Sequence, residues 1–264
     1  MNYPEISIIL PCLNEEQAIG FCLDKIKEVV EKNNLNAEII VVDNGSTDNS
    51  RNIIKEKQVK LIEEKERGYG SAYLKGFEAA EGKYIFMADS DGSYDFDEIP
   101  NFIKYLRQDY DFVIGDRFKG KVEKEAMSWL HKYIGNPMLS GVLRIFFNAK
   151  IHDVHCGMRA IRKDLLGQLN LRTTGMEFAS EMIMKAIRNN LKIKEVPINY
   201  RIRKGESKLK SLTDGWRHLR FMLLYSPLFL FFLPGLFLFL LGLIFLIWLY
   251  FGSPEILGMK LYNY

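Results

Sequence analysis

Apolar positions in the first 210 residues form short blocks that alternate with longer amphipathic stretches. The short blocks are rich in Ile, Val and Phe and are bounded by turn-forming residues, which is typical of buried strands. We predict β-strands at 5–10, 38–43, 59–63, 83–89 and 111–115. We predict helices between them at 15–32, 48–57, 70–80 and 97–108. This alternation favours an α/β fold with a mostly parallel sheet covered by helices.

The pattern becomes less regular after residue 117. A helix is predicted around 124–147, a second helix at 177–190 and a strand at 192–199. The chain shows no internal repeat. Its one low-complexity stretch is an apolar run near the end.

That apolar run, residues 227–251, carries no charged side chain over 25 positions. As a helix it would be about 37 Å long, which exceeds a hydrocarbon core of about 30 Å, so it predicts a tilted transmembrane helix. Seven basic residues precede it: Arg201, Arg203, Lys204, Lys208, Lys210, Arg217 and Arg220. Since positive flanks stay in the cytoplasm, we expect a cytoplasmic domain at 1–212, a basic juxtamembrane segment at 213–226, the span at 227–251 and a short tail at 252–264.

The composition of the chain limits the classes of partner that can be expected. A net charge of +3 is too small to indicate a nucleic-acid partner, and the local basic excess lies where lipid head groups would be. The three cysteines have no framework spacing, which favours free thiols in a reducing compartment. The chain enters the first predicted strand directly, so no cleavable signal peptide is expected.

Asp89-Ser90-Asp91 directly follows the strongest predicted strand. Carboxylates at i and i+2 of an extended chain project to the same side, where their repulsion favours a cation between them. A hard divalent ion suits such a pair and brings phosphate oxygens with it. An acidic turn is the alternative, because Asp, Ser and Gly all favour loops.

Two further strand ends support a site. Glu15 follows the first predicted strand and Asp43 ends the second, so three acidic clusters are expected at one edge of the sheet, where ligands bind in open α/β folds. A glycine-rich segment at 67–70 opens a helix and could let a ligand approach the backbone. It is not a Walker loop, because no Gly-Lys-Ser/Thr follows, and a tight turn is an equal alternative.

Taken in order, these segments resemble inverting family-2 glycosyltransferases, and most closely the dolichyl-phosphate mannose synthase-like, polyprenyl-phosphate branch. The resemblance covers residues 5–212 and is carried by segments 11–15, 41–48, 67–70, 89–91 with Pro100, 115–118, 153–160 and 196–209. It implies a GT-A-type, Rossmann-like domain, a nucleotide-sugar donor (a GDP- or UDP-sugar), a polyprenyl-phosphate acceptor and a bilayer partner. The resemblance leaves open whether the protein forms a homo-oligomer, and it implies no nucleic-acid partner.

The resemblance also implies roles for individual residues. Mg²⁺ or Mn²⁺ is implied at Asp89 and Asp91. Contacts to the donor or acceptor are implied at Pro11, Leu13, Asn14, Glu15, Asp43, Gly70, Ser90, Arg117, Arg159, Arg203 and Lys208. The catalytic set is expected to be Asp89, Asp91, Arg117 and Arg203. The family often has Gln where this chain has Ser93, and Ser where it has Asp116, so a third metal ligand and the polarity near the acceptor differ.

Two other functions stay open. The acceptor could be a sugar or protein hydroxyl, although the Gln-x-x-Arg-Trp motif of processive synthases is missing. The protein could also be an inactive, sugar-nucleotide-binding membrane scaffold, against which Asp89, Asp91 and Arg203 argue. Zinc at His152, His155 and Cys156 is disfavoured, because two His three apart in a strand or loop point different ways. A serine nucleophile at Ser46 or Ser71 is disfavoured because no His belongs to a matching motif.

Overall fold

The computed structural model describes residues 3–147, 149–205, 211–226, 228–251, 255–256 and 259–260. The chain divides into two compact units, Met1–Phe221 and Met222–Tyr264. The first unit contains the sheet and all the acidic strand ends. The second contains the long apolar helix.

A seven-stranded sheet forms the centre of the first unit. Its strands are β1 Ile6–Cys12, β2 Ala37–Asp43, β3 Lys60–Glu63, β4 Tyr84–Met87, β5 Phe112–Asp116, β6 Arg159–Arg162 and β7 Ile193–Pro197. Their order across the sheet is β3-β2-β1-β4-β6-β5-β7. All neighbouring pairs are parallel except those that involve β6, which is antiparallel to both β4 and β5. The carboxyl ends of β1, β2, β4 and β5 therefore lie at one edge.

Helices pack against this sheet, as expected for mostly parallel strands with apolar runs. The helices up to residue 224 are α1 Ile19–Lys32, α2 Ser50–Glu56, α3 Tyr69–Ala79, α4 Ile99–Arg107, α5 Asn136–Phe147, α6 Leu166–Leu169, α7 Phe178–Arg188 and α8 Ser211–Leu224. Of these, α3 packs on β1 and β2, and α4 packs on β4, β5 and β6. A short 3₁₀ helix, Phe96–Glu98, leads into α4, and Asp95 caps it by accepting from the Asp97 N–H. The helix α4 then buries Ile99, Phe102, Ile103 and Leu106.

The predicted α/β class with a mostly parallel sheet is confirmed, and each predicted strand and helix in the first 116 residues has a counterpart. The antiparallel strand β6 was not predicted. Its four residues, Arg-Ala-Ile-Arg, are too few and too charged to show a strand pattern. The helix predicted over 124–147 begins later, as a π-helical turn at His131–Gly135 that precedes α5.

Within the second unit, a continuous apolar helix runs from Leu228 to Phe251 and comprises a π-helical turn and α9, Leu233–Phe251. Within the described residues it is the one helix long and apolar enough to cross a membrane, and its side chains are exposed. Two short strands follow, β8 Glu255–Ile256 and β9 Met259–Lys260. The division at 1–212, 213–226, 227–251 and 252–264 stays a prediction.

Candidate active site

The sheet places the three acidic strand ends side by side. In the parallel pairing of β1 with β2, Cys12 lies opposite Asp43, and in the pairing of β1 with β4, Ile9 lies opposite Met87. Segments that leave these strands therefore emerge at one edge. At this edge, one arginine from a distant segment contacts two carboxylates. Arg203 donates from Nη2 to Glu15 Oε1 at 3.2 Å, and its Nη2 also lies 3.5 Å from Asp91 Oδ2.

Asp89 lies at the end of β4 and is held from two sides. The hydroxyl of Tyr69, the first residue of α3, donates to Asp89 Oδ1 at 3.0 Å. On the other side, Gly157 leaves room for the carboxylate, since a Cβ at that position would lie 2.7 Å from Asp89 Oδ2. The hydrogen bond from Tyr69 thus orients the carboxylate, and the missing Cβ at Gly157 leaves space beside Oδ2.

Burial raises the pKa of Asp89 to about 7, and the neighbouring charge of Asp91 adds to this rise. Tyr69, Arg117 and Arg203 act in the opposite direction without cancelling it. The two carboxylates are thus close enough to repel each other in a desolvated place. An all-oxygen set in that state fits a hard dication such as Mg²⁺ or Mn²⁺.

Asp91 is buried, and hydrogen bonds to its Oδ1 orient the carboxylate. Its Oδ1 accepts from the Ser93 N–H at 2.9 Å and from the Ser93 hydroxyl at 2.5 Å. Ser93, where the resembling family often has Gln, therefore supports the Asp91 carboxylate. Oδ2 remains directed toward Arg203.

The segment that carries Arg203 runs beside the Asp91 turn. Lys204 N–H donates to the Asp91 carbonyl and Arg201 N–H to the Ser93 carbonyl, both at 2.8 Å. Gly92 has φ +77°, a left-handed conformation that lets the turn pass close to the Lys204 side chain. Backbone pairing thus explains why the guanidinium of Arg203 reaches two carboxylates that are remote in sequence. Arg203 Nε is buried and has no hydrogen-bond partner within the described residues.

The turn after β1 is built by polar contacts with neighbouring strands. Ser90 Oγ donates to the Pro11 carbonyl at 2.6 Å, which ties the end of β4 to the end of β1. Asn14 has φ +51°, and its Oδ1 accepts from the Thr47 N–H at 2.7 Å. Leu13 is half-buried in the same turn. The predicted donor-contacting residues of this segment therefore lie together at the sheet edge.

Asp43 is fully buried and turned toward its own loop. It accepts from the Ser46 N–H at 3.2 Å and from Arg51 Nε at 2.7 Å. This arrangement shapes the loop after β2 and the start of α2. Contact of its carboxylate with a base or ribose stays a prediction.

Two of the predicted arginines hold other parts of the protein. Arg117 is buried and makes a bidentate ion pair with Asp153, at 2.7 and 2.8 Å. Arg159 is also buried, and it donates to the carbonyls of Cys156, Val154 and Ala179. This placement favours a structural role for Arg159, and any contact of either guanidinium with substrate stays a prediction. Lys208 lies outside the described residues.

Gly70 is needed for packing within the protein. A Cβ there would lie 2.1 Å from the Thr173 carbonyl oxygen, and a Cβ at Gly68 would lie 2.0 Å from that of Thr174. The glycines thus admit the 173–175 loop, which Glu181 holds by accepting from the Thr173 N–H and hydroxyl. A ligand contact at Gly70 stays a prediction.

Sequence reasoning did not assign roles to Tyr69, Ser93 or Tyr94. Tyr69 stood inside the glycine-rich segment, and Ser93 stood where a different ligand was expected. Tyr94 accepts from the Gly157 N–H at 2.7 Å, which brings the segment before β6 beneath Asp89. The adjacency of Tyr69 to two glycines was the one available signal, and it did not indicate which carboxylate the hydroxyl would reach.

A glycosyl transferase family 2 model matches residues 7–169, which include β1 to β6 and the Asp89–Asp91 turn. The chain belongs to this family. The expected resemblance is therefore confirmed, and the matched part contains every acidic strand end described above.

Curated relatives agree with this assignment. The low-salt glycan biosynthesis hexosyltransferase Agl6 of Haloferax volcanii is 42% identical over 245 residues, which is 92% of this chain and 59% of that protein. The chain thus spans less than two thirds of that relative. The dolichyl-phosphate hexose transferase of the same organism is 32% identical over 216 residues, 81% of this chain and 90% of that protein.

Solved structures confirm the GT-A-like fold. Glucosyl-3-phosphoglycerate synthase from Mycobacterium tuberculosis, solved with Mn²⁺, uridine diphosphate and glucosyl-3-phosphoglycerate, superposes with a TM-score of 0.67. The match covers 84% of this chain and 80% of that chain, at 20% sequence identity. At this identity the similarity concerns the fold alone.

Proposed function

We propose that this protein transfers a sugar from a nucleoside-diphosphate sugar to a polyprenyl phosphate, dolichyl or undecaprenyl, with inversion at the anomeric carbon. The observation that carries the proposal is the Asp89–Asp91 pair at the sheet edge with Arg203 beside it. Family membership and the dolichyl-phosphate hexose transferase relative support the reaction class.

Asp89 and Asp91 are the residues that would hold Mg²⁺ or Mn²⁺. A dication held by these two residues would supply positive charge to the donor diphosphate when the diphosphate becomes the leaving group. Tyr69 and Ser93 orient the two carboxylates in advance, so that little reorganisation is needed on binding. Arg203 adds a guanidinium whose forked donors suit phosphate oxygens.

A phosphate acceptor needs little proton transfer, because its second ionisation lies near pH 6 and it is anionic at neutral pH. The chain's task is then to hold the acceptor and neutralise its charge. Glu15 lies next to the Asp89–Asp91 pair and forms an ion pair with Arg203. This ion pair fits a role of Glu15 in balancing charge better than a role as a general base. A hydroxyl acceptor would need such a base.

The apolar helix near the end of the chain supports a lipid acceptor. The apolar helix Leu228–Phe251 is long enough to span, and the preceding basic residues favour a cytoplasmic first unit. Within the first unit, a surface near α5 exposes Trp129, Tyr133, Met138 and Ile145, an amphipathic composition that suits a bilayer interface. A membrane-anchored enzyme confines itself and a lipid acceptor to one surface, which raises their effective concentration.

An acceptor panel tests the proposal. The full-length protein in detergent is incubated with labelled GDP- and UDP-sugars and one of three lipids: a polyprenyl phosphate, the matched polyprenol or the matched polyprenyl diphosphate. We expect transfer only to the monophosphate and an inverted anomeric product. Transfer to the polyprenol or to a sugar hydroxyl would replace the proposed acceptor, and donor binding without transfer to any acceptor would indicate a scaffold.

A further inference from the structure

A second group of metal-type ligands lies outside the proposed donor site. It consists of Asp116 at the end of β5, His152 in the loop before β6, and Glu195 in β7. One ligand atom from each lies within 4.8 Å of the other two. Neither carboxylate was a predicted ligand, because both belong to strands remote from His152 in sequence.

The distances suit a shared ion. His152 Nδ1 lies 2.9 Å from Glu195 Oε2 and 3.9 Å from Asp116 Oδ2. Ligands of a tetrahedral zinc ion are separated by about 3.4 Å, given bond lengths of about 2.1 Å. Small side-chain movements would bring all three atoms to that spacing.

One oxygen of the Asp116 carboxylate points into this group. Asp116 is fully buried, and its Oδ1 accepts from the Phe118 and Lys119 N–H groups. Its Oδ2 accepts no hydrogen bond within the described chain. This buried oxygen therefore depends on a nearby positive charge rather than on a hydrogen bond, and a coordinated cation would supply such a charge.

A cation already lies among these ligands. The ammonium of Lys119 is 3.1 Å from Asp116 Oδ2, 2.9 Å from His152 Nδ1 and 3.4 Å from Glu195 Oε2. The contact with Asp116 Oδ2 is an ion pair. The lysine side chain is 47% exposed and flexible, so it can move into solvent when a stronger cation arrives.

We propose that Asp116, His152 and Glu195 form a second divalent-metal site, selective for a transition metal such as Zn²⁺, which displaces the Lys119 ammonium. The imidazole favours such an ion over Mg²⁺, which prefers oxygen ligands alone. Three protein ligands would leave a fourth position for water.

The consequence of binding follows from the neighbours of these residues. Asp116 precedes Arg117 and His152 precedes Asp153, and these two neighbours form the buried bidentate pair. Glu195 Oε1 also accepts from the backbone N–H of His152 at 2.6 Å. A metal here would join β5, β7 and the 152–153 loop and stabilise the Arg117–Asp153 pair, with no need for a donor or a lipid.

Zinc titration by calorimetry tests the site with the untagged full-length protein in detergent. Excess Mg²⁺ is present to fill the all-oxygen site at Asp89 and Asp91. We expect one equivalent of Zn²⁺ to bind, with affinity reduced about tenfold or more in His152→Ala and in Glu195→Gln. His152 is 54% exposed and Gln retains an acceptor for the backbone, so both variants should fold.

Lys119→Met is the matched control, because it removes the competing ammonium and keeps the three ligands. It should bind Zn²⁺ at least as tightly as the wild type. Zn²⁺ should also raise the Tm of the wild type but not of His152→Ala. Absence of Zn²⁺ binding to the wild type, wild-type affinity in His152→Ala, or weaker binding in Lys119→Met would each overturn the proposal. No nucleotide or acceptor enters the assay, so its outcome is independent of the proposed transfer reaction.

Discussion

The guanidinium of Arg203 lies 3.5 Å from the carboxylate of Asp91, although the two residues are far apart in the sequence. Backbone pairing of the 201–204 segment with the 91–93 turn brings them together. Arg203 thus supplies positive charge at the place where we propose that the donor diphosphate binds.

Replacement of Arg203 should reduce sugar transfer. Arg203→Ala removes a donor aimed at developing charge, and we expect a fall in kcat of about 10²–10³-fold. Arg201→Ala is the matched control, since Arg201 lies in the same segment but pairs with Asp95. Equal losses in the two variants would show that the segment, and not the Arg203 charge, matters.

Removal of the Tyr69 hydroxyl should weaken the reaction without unfolding the protein. Tyr69→Phe keeps the ring contacts with Tyr73 and Phe178 but loses the hydrogen bond to Asp89, so we expect kcat/KM to fall about tenfold. Tyr73→Phe is the control, because the Tyr73 hydroxyl is buried beside Tyr69 and makes no hydrogen bond to Asp89 among the described residues. Its activity should match the wild type, and a similar loss in both variants would contradict the role of Tyr69.

Glu181 should make stability depend on pH in the acidic range. Burial alone would raise its pKa, but bonds from Lys185, Thr173 and Arg172 N–H bring the pKa below its usual 4.5. The folded state therefore favours the carboxylate. Its stabilisation is full above the unfolded-state pKa and is lost as pH falls through the lower folded-state pKa.

Glu181→Gln should lose about 1–3 kcal/mol of unfolding free energy at pH 7, because buried donors lose a charged acceptor. Thermal or denaturant unfolding between pH 7 and pH 3.5 measures this difference. The gap between wild type and variant should narrow as pH falls. A constant gap would show that the Glu181 charge does not contribute.

The three cysteines should resist alkylation in the folded protein. Burial raises the pKa of Cys12 to about 11 and the pKa values of Cys22 and Cys156 to about 12, so little thiolate exists at neutral pH. Iodoacetamide should label no cysteine at pH 7.5 and three after denaturation, as counted by mass spectrometry. Rapid labelling of the native protein would contradict their burial.

The sequence predicted the fold and the shared edge of the acidic strand ends more fully than it predicted how the charged side chains pair there. Apolar strand blocks and the acidic residues that follow them were enough to place Glu15, Asp43 and Asp89 at one edge, because parallel strands share that edge. The four-residue strand β6 escaped prediction, since its position depends on pairing with β4 and β5.

Arginine partners could not be predicted in the same way. Arg117, Arg159 and Arg203 have the same side chain, yet one pairs with Asp153, one holds three carbonyls and one faces Asp91. These differences arise from long-range contacts that a linear pattern does not contain. His152 illustrates the same point, because its carboxylate neighbours come from β5 and β7.

Nucleotide binding by the Asp89–Asp91 pair tests the central claim most directly. The affinity of the full-length protein for GDP and UDP is measured by calorimetry with Mn²⁺ and with EDTA, in the wild type and in Asp91→Asn. We predict that one nucleotide binds the wild type only when Mn²⁺ is present, and that Asp91→Asn loses this Mn²⁺-dependent binding. Equal affinity in wild type and variant, or binding unaffected by EDTA, would contradict the account.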